Sequence, residues 1–262
     1  MLGRAIPLSP QRQFICDLVA VAQAIPTIPV QRRMNLAVVV AARKASPLQP
    51  SWLAIFTKAY AKVAAAVPEL RRSYVKFPTH HLYEYPASVA GVAFERMFRG
   101  ENAVFIGLIK DPAGLPLAEL HHLIRHFQEV DIEQCKDFRR MLRFSRLPGL
   151  LRRMLWWVSA NVGRQRGNYL GTFGVTAYSA LGAESLHPLS PLTTTLTYGV
   201  IDADGGIDVR IVYDHRVMDG ATVARALKLL EDELTGASCE EMRSPEIASI
   251  RAPERTPSKA VA

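Results

Sequence analysis

Asp204-Gly205-Gly206-Ile207-Asp208-Val209-Arg210-Ile211-Val212-Tyr213-Asp214-His215-Arg216-Val217-Met218-Asp219-Gly220 is the segment that orders the rest of the chain. Ile207, Val209, Ile211 and Tyr213 alternate with Asp208 and Arg210, the period of a half-buried strand. Asp204-Gly205 is a hairpin signal, so Leu192–Ile201 upstream reads as the partner strand. Downstream, Val223, Ala226, Leu227 and Leu230 share one helical face, which predicts a helix over Thr222–Leu234. His215 therefore stands at a strand-to-helix junction, flanked by Asp214 and Asp219 and followed by Gly220. A junction of that kind can hold a reactive side chain in one orientation.

Further out, strand and helix signals interleave. Gln11–Ala22 reads as a helix with Ser9-Pro10 as its start signal, broken by Ile25-Pro26-Thr27-Ile28-Pro29. Val30–Ala42, centred on Asn35-Leu36-Ala37-Val38-Val39-Val40, reads as strand because it is rich in β-formers. Ser51 is a plausible N-cap for an amphipathic helix carrying Leu53, Phe56, Tyr60, Val63 and Val67, which Pro68 ends. Tyr74–Phe77 and Leu82–Tyr85 form one predicted strand pair. Ser88–Phe94 and Ala103–Ile109 form another, turning at Arg99-Gly100-Glu101-Asn102. Leu117–Val130 is a predicted helix, Lys136–Arg166 two helical pieces broken at Pro148-Gly149, and Leu170–Ser179 a strand. The interleaving predicts an α/β (α+β) fold, a two-layer sandwich of a mixed sheet with helices. Residues 1–236 make one domain, and 237–262, with prolines and little apolar periodicity, a disordered tail.

Of the 262 residues, 49% are apolar and 21% charged, enough for a packed core and too few charges for a disordered chain. Three separated cysteines, without CxxC spacing, argue against a disulfide framework or zinc site and for a reducing, cytoplasmic setting. The net charge of +8 is uneven. Lys136–Arg166 alone holds nine basic residues and one acidic, while the remainder balances at 23 of each sign. That distribution argues against a general nucleic-acid surface, so no nucleic-acid partner is expected, and points to a local anionic partner. On the first helical piece Arg139, Arg143 and Arg146 share a face. Leu147 before the break, with Leu150, Leu151, Trp156 and Trp157 on the second, would dip into a membrane interface while Arg152 and Arg153 meet phosphates, so peripheral membrane contact is one reading. A solvated basic face, or contact with the phosphates of a nucleotide-bearing substrate, are the others. His80-His81 and His121-His122 are adjacent pairs that share neither a helix nor a strand face, so they read as loop or surface histidines and no metal site is expected.

Asp214-His215-Arg216-Val217-Met218-Asp219-Gly220-Ala221 resembles the DHRxxDGA motif of the catalytic domain of dihydrolipoamide acyltransferases of 2-oxoacid dehydrogenase complexes. The looser HxxxDG form resembles chloramphenicol acetyltransferase. Gly171-Thr172-Phe173-Gly174-Val175-Thr176 is similar to the family's GTFTIS strand, and Pro68-Glu69-Leu70 to the end of a family helix. The resemblance implies a chloramphenicol acetyltransferase-like fold, a homotrimer with active sites between subunits, and acyl transfer from coenzyme A or a carrier thioester to a hydroxyl, amine or thiol. It implies His215 as general base, for which imidazole, with an unperturbed pKa of about 6.5, is suited. It also implies Thr176 as an oxyanion donor, and Asp219 as a brace paired with Arg12, with Gly220 permitting close backbone packing. No covalently bound cofactor is expected, and acyl-CoA is the expected co-substrate. No lipoyl-lysine hairpin precedes the core, so a small-molecule or lipid acceptor is expected. Action in trans on the lipoyl domains of another chain, and a non-catalytic trimeric scaffold, remain alternatives. The chain departs from the family at Thr176-Ala177-Tyr178-Ser179 and in the long, tryptophan-rich basic segment.

Overall fold

A computed structural model describes residues 3–244 and 247. Six strands form one mixed sheet in the order β1-β8-β7-β6-β4-β5, comprising β1 (Thr27–Asn35), β4 (Val89–Phe98), β5 (Glu101–Lys110), β6 (Phe173–Thr176), β7 (Thr194–Tyr198) and β8 (Gly206–Asp214). β4–β6 and β6–β7 are parallel and the other pairs antiparallel. β2 (Arg72–Val75) and β3 (His81–Glu84) form a separate hairpin.

One sheet face carries α3 (Trp52–Ala66) and α8 (Gly220–Thr235), packed on each other and flanked by α2 (Ala37–Ala45), α4 (Leu117–Glu129) and α9 (Ala237–Arg243). α3 starts where Ser51 accepts a hydrogen bond from the Ala54 N–H at 3.2 Å. Its Phe56 ring stacks on Tyr198 of β7 at 4.1 Å, and Tyr60 meets Phe173 of β6 at 4.7 Å. The buried Tyr60 hydroxyl donates to Thr194 Oγ1 at 2.7 Å, so its polar end is satisfied. Around the β5 edge and the second face run α1 (Pro10–Ala22), α5 (Lys136–Ser145), α6 (Gly149–Asn161) and α7 (Gly163–Tyr169). α7 sits close to the β2–β3 hairpin because it has no side chain where it touches. A Cβ on Gly163 would lie 2.3 Å from the Tyr83 ring, and one on Gly167 2.7 Å from the Tyr85 ring.

The predicted helices at α1, α3, α4 and α8, both hairpins and the β7–β8 pair are present. Four expectations change. Val38-Val39-Val40 lies in α2, because strand β1 stops at Asn35, whose Oδ1 accepts from the Ala37 N–H at 3.0 Å. Leu36, Val39 and Ala42 are then buried together, which helical spacing achieves and alternation cannot. β1 instead runs back through Pro29, which an edge strand tolerates. Lys136–Arg166 is three helices rather than two, since Val162-Gly163 interrupts it as well as Pro148. The expected tail is helical over Ala237–Arg243, with Cys239 and Met242 buried. The remainder of that tail, apart from Ser244 and the buried Ile247, lies outside the described residues.

Candidate functional site

β8 carries the motif to its place. Asp214, its last residue, is paired with Thr27 of β1, and its N–H donates to the Thr193 carbonyl at 2.8 Å. The His215 N–H donates to the Pro26 carbonyl at 3.0 Å, and the Val217 N–H to the Asp214 carbonyl at 3.0 Å. The backbone is thus tied before, at and after the histidine. Asp214 is fully buried. Its Oδ1 accepts from the Arg216 N–H at 3.0 Å and from Arg216 Nε at 2.9 Å, and its Oδ2 accepts from Nη2 at 2.7 Å. This bidentate pair satisfies a carboxylate that burial would otherwise penalise heavily. The Arg216 guanidinium also lies 4.5 Å over the Tyr74 ring of the β2–β3 hairpin. Below it, the buried Arg166 donates to the carbonyls of Ala160 at 3.0 Å and Pro191 at 2.5 Å. Burial pushes the Arg166 pKa down, and Tyr85 and Asp214 oppose that shift.

His215 is left projecting from this frame, its side chain 42% exposed, with Nδ1 3.6 Å from Asp219 Oδ1. Asp219 is the N-cap residue of α8 by backbone geometry, but its side chain makes no capping hydrogen bond and is 86% exposed. A Cβ on Gly220 would stand 3.3 Å from the Tyr213 hydroxyl, so glycine leaves room where the helix begins. Arg12 is exposed on α1, which packs on α5, α6 and β5, and no Arg12–Asp219 ion pair forms among the described residues. Asp219 faces His215 instead.

Thr176 ends β6, in register with Thr197 of β7, which is in register with Arg210 of β8. His215 lies five residues further along. At about 3.3 Å per residue and 4.8 Å per strand, Thr176 and His215 of one chain are separated by more than roughly 15 Å. One chain therefore does not bring them together.

Thr176 borders a cavity of about 610 Å³ on the second sheet face, beneath α1 and α6. Its walls include Phe14, Leu18, Ile106, Phe144, Leu155 and Trp156. Trp156 is buried between Phe14 and Phe144, with ring centroids at 5.4 and 5.6 Å, so it is not on the interfacial face the sequence predicts for it. Arg152 likewise turns inward, with Nε 2.7 Å from Asp17. Leu150, Leu151, Met154 and Trp157 do remain exposed.

Two features were missed by the sequence reading. The Asp214–Arg216 clasp has a signal in the i, i+2 spacing of opposite charges, which places both on one side of an extended chain. The cavity has none, being built by segments far apart in sequence. His121 also differs, buried on α4 with Nδ1 accepting from the Ser51 N–H at 3.1 Å. Among the described residues no three His, Cys, Asp or Glu side chains gather as a metal site, and no helix is long and apolar enough to cross a membrane.

No family model and no curated protein matches the sequence. Solved structures do. A probable dihydrolipoamide acetyltransferase from Listeria monocytogenes 4b F2365 is 16% identical, with a TM-score of 0.65 over 88% of this chain and 94% of that one. The Azotobacter vinelandii dihydrolipoamide acetyltransferase, in which the catalytic roles of a serine, a histidine and an asparagine were investigated, is 17% identical. Its TM-score is 0.64 over 90% of this chain and 93% of that one. Chloramphenicol acetyltransferase is 13% identical, with a TM-score of 0.52 over 87% and 96%. The six-stranded mixed sheet and its covering helices thus have the fold of dihydrolipoamide acetyltransferase catalytic cores and of chloramphenicol acetyltransferase.

Proposed function

We propose that the protein is an acyltransferase, moving an acyl group from a coenzyme A or carrier thioester to a hydroxyl, amine or thiol acceptor. The observation that carries this reading is His215. Its backbone is fixed on three sides and its neighbour Asp214 is neutralised, so the imidazole is the free reactive group of a motif set in an acyltransferase-type fold. Nδ1 faces Asp219, which leaves Nε2 for the acceptor. Nε2 takes the acceptor's proton as its heteroatom attacks the thioester carbonyl. The tetrahedral oxyanion is stabilised by the Thr176 hydroxyl. Collapse breaks the carbon–sulfur bond, and the leaving thiolate takes the proton back from His215.

Because Thr176 and His215 lie far apart in one chain, the complete site uses His215 of one protomer and Thr176 of the next. A closed ring of three head-to-tail copies provides that arrangement, in line with the trimer implied by the sequence resemblance. The exposed Arg139 and Arg143 of α5, with Arg146 at its C-cap, would supply charge to coenzyme A phosphates. On α6, exposed Leu150, Met154 and Trp157 beside Arg153 fit peripheral contact with an anionic membrane and hence a lipid acceptor.

The test is release of free thiol from acyl-CoAs by the purified chain, with alcohols, amines and dihydrolipoamide as acceptors. Turnover that falls at least about a hundredfold in His215→Ala is expected. Undiminished turnover in that variant overturns the mechanism. Dihydrolipoamide as the preferred acceptor would support action on lipoyl domains. No turnover with any donor or acceptor would leave the scaffold alternative.

A further inference from the structure

We infer that the cavity beside Thr176 is an acyl-chain pocket that selects donors with a medium or long aliphatic chain over acetyl. The inference rests on the acyltransferase reading and specifies the donor. At about 610 Å³ the cavity falls within the range of small-molecule sites, roughly 300–1,000 Å³. Its walls are largely aliphatic and aromatic. Arg140, one of its polar members, is already engaged, its guanidinium 5.3 Å over the Tyr169 ring and 3.7 Å from Asp137.

Two glycines line the floor and let Leu192, itself a wall residue, pack down against the sheet. Gly91 of β4 and Gly174 of β6 sit inside strands, where glycine is unfavourable unless something must approach closely. A Cβ at Gly91 would lie 3.2 Å from the Leu170 carbonyl oxygen and 3.6 Å from Leu192 Cδ1. A Cβ at Gly174 would lie 3.2 Å from Thr195 Oγ1 and 3.3 Å from Leu192 Cδ1. Gly174 stands where the GTFTIS strand it resembles carries threonine, so this chain is pared back there.

The position of Thr176 decides which substrate group enters. A hydroxyl that donates to the thioester oxygen lies a hydrogen bond and one covalent bond from the carbonyl carbon. The acyl chain leaves that carbon on one side and the sulfur on the other. The pantetheine arm must run out to a charged nucleotide in solvent, and the acceptor must approach His215, which comes from the other protomer. The apolar volume contiguous with Thr176 is therefore left for the chain. Each methylene removed from water favours binding by roughly fourfold. With only about half of the eight methylenes that separate decanoyl from acetyl buried, discrimination is on the order of a hundredfold.

The experiment measures kcat/KM for acetyl-, hexanoyl-, decanoyl- and tetradecanoyl-CoA, and in parallel the Kd of acetyl-CoA and decanoyl-CoA for the His215→Ala protein. It uses the wild type, Leu155→Trp in the roof, Ile106→Trp in the floor, and Val38→Ala on the exposed face of α2 as control. The expected result is a decanoyl preference of about a hundredfold in kcat/KM and at least tenfold in Kd. Either filling variant, checked for its native circular dichroism, should cut that preference at least tenfold while keeping acetyl transfer, and Val38→Ala should leave it unchanged. If turnover is absent but the decanoyl preference in binding persists and is lost on filling, the pocket stands and the proposed reaction falls. A flat chain-length profile in binding and turnover overturns the pocket and leaves the reaction standing. A flat donor profile with a steep dependence on acceptor length also overturns it, by assigning the cavity to the acceptor.

Discussion

Asp214 is the residue that fixes His215, although it does not touch the imidazole. It is a fully buried carboxylate whose two oxygens are taken up by Arg216, while its backbone N–H holds Thr193. The acid next to the histidine is therefore committed to structure. Asp219, exposed and with Oδ1 3.6 Å from Nδ1, is the acid that faces the ring. Removing Arg216 would leave Asp214 charged, buried and without its bidentate partner. Arg216→Ala should lower stability by about 3–5 kcal/mol, the usual cost of breaking a buried pair from one side. Asp214→Asn should cost clearly less, because the amide carbonyl still accepts a hydrogen bond and the charge left on Arg216 is partly exposed and lies over the Tyr74 ring. Urea unfolding midpoints of the two variants decide this, and an Arg216→Ala midpoint equal to wild type would remove the clasp from the account of how His215 is held.

At the scale of elements, α4 and α3 are joined through a histidine. His121 is buried on α4 and accepts the Ser51 N–H at the start of α3, so its neutral form is the one the fold uses. Burial pushes its pKa below the ordinary histidine value, aided by His122, Arg125 and Arg43 and opposed by Glu129. The folded chain then binds fewer protons at this group than the unfolded chain does. Its contribution to stability is full above about pH 6.5 and is lost as the pH falls below that value towards the folded pKa. The wild type should lose stability between pH 7.5 and 5.5, and His121→Gln should show a shallower loss across the same interval. Parallel pH profiles of the two would refute the role. His121 also shows where sequence reading stops. α1, α3, α4 and α8 were legible because their apolar spacing and start signals at Ser9 and Ser51 are local. Val38-Val39-Val40 misled because β-branched propensity was local too, while burial of Leu36, Val39 and Ala42 on one face of α2 is tertiary. The partner of His121 is 70 positions away. Motif and spacing placed His215 and Thr176 on the right elements, but the separation between them needs the register of three strands.

That separation has its consequence at the scale of the whole molecule. Thr176 is level with Arg210 across β7, and His215 lies beyond the far end of the same strand, β8. If the reaction needs both, a single chain is an incomplete enzyme and a ring of copies is complete, each boundary joining His215 of one protomer to Thr176 of the next. This can be separated from an intrachain site by mixing two inactive proteins. Each His215→Ala subunit can still lend Thr176, and each Thr176→Ala subunit can still lend His215. In a ring of three, any mixed assembly contains one boundary at which both intact residues meet. Random reassortment of equal amounts makes about three quarters of the rings mixed, each with one working boundary in three, so activity should recover to roughly a quarter of wild type. Coexpression of the two variants, purification by two affinity tags in sequence and assay with a saturating acyl-CoA measure it, with sedimentation equilibrium giving the number of copies. The doubly tagged fraction is then all mixed and should reach about a third. Recovery near zero in an intact mixed trimer would mean that Thr176 and His215 do not serve a common site between protomers, and the oxyanion donor would have to be sought within reach of His215 on β8 and its neighbours.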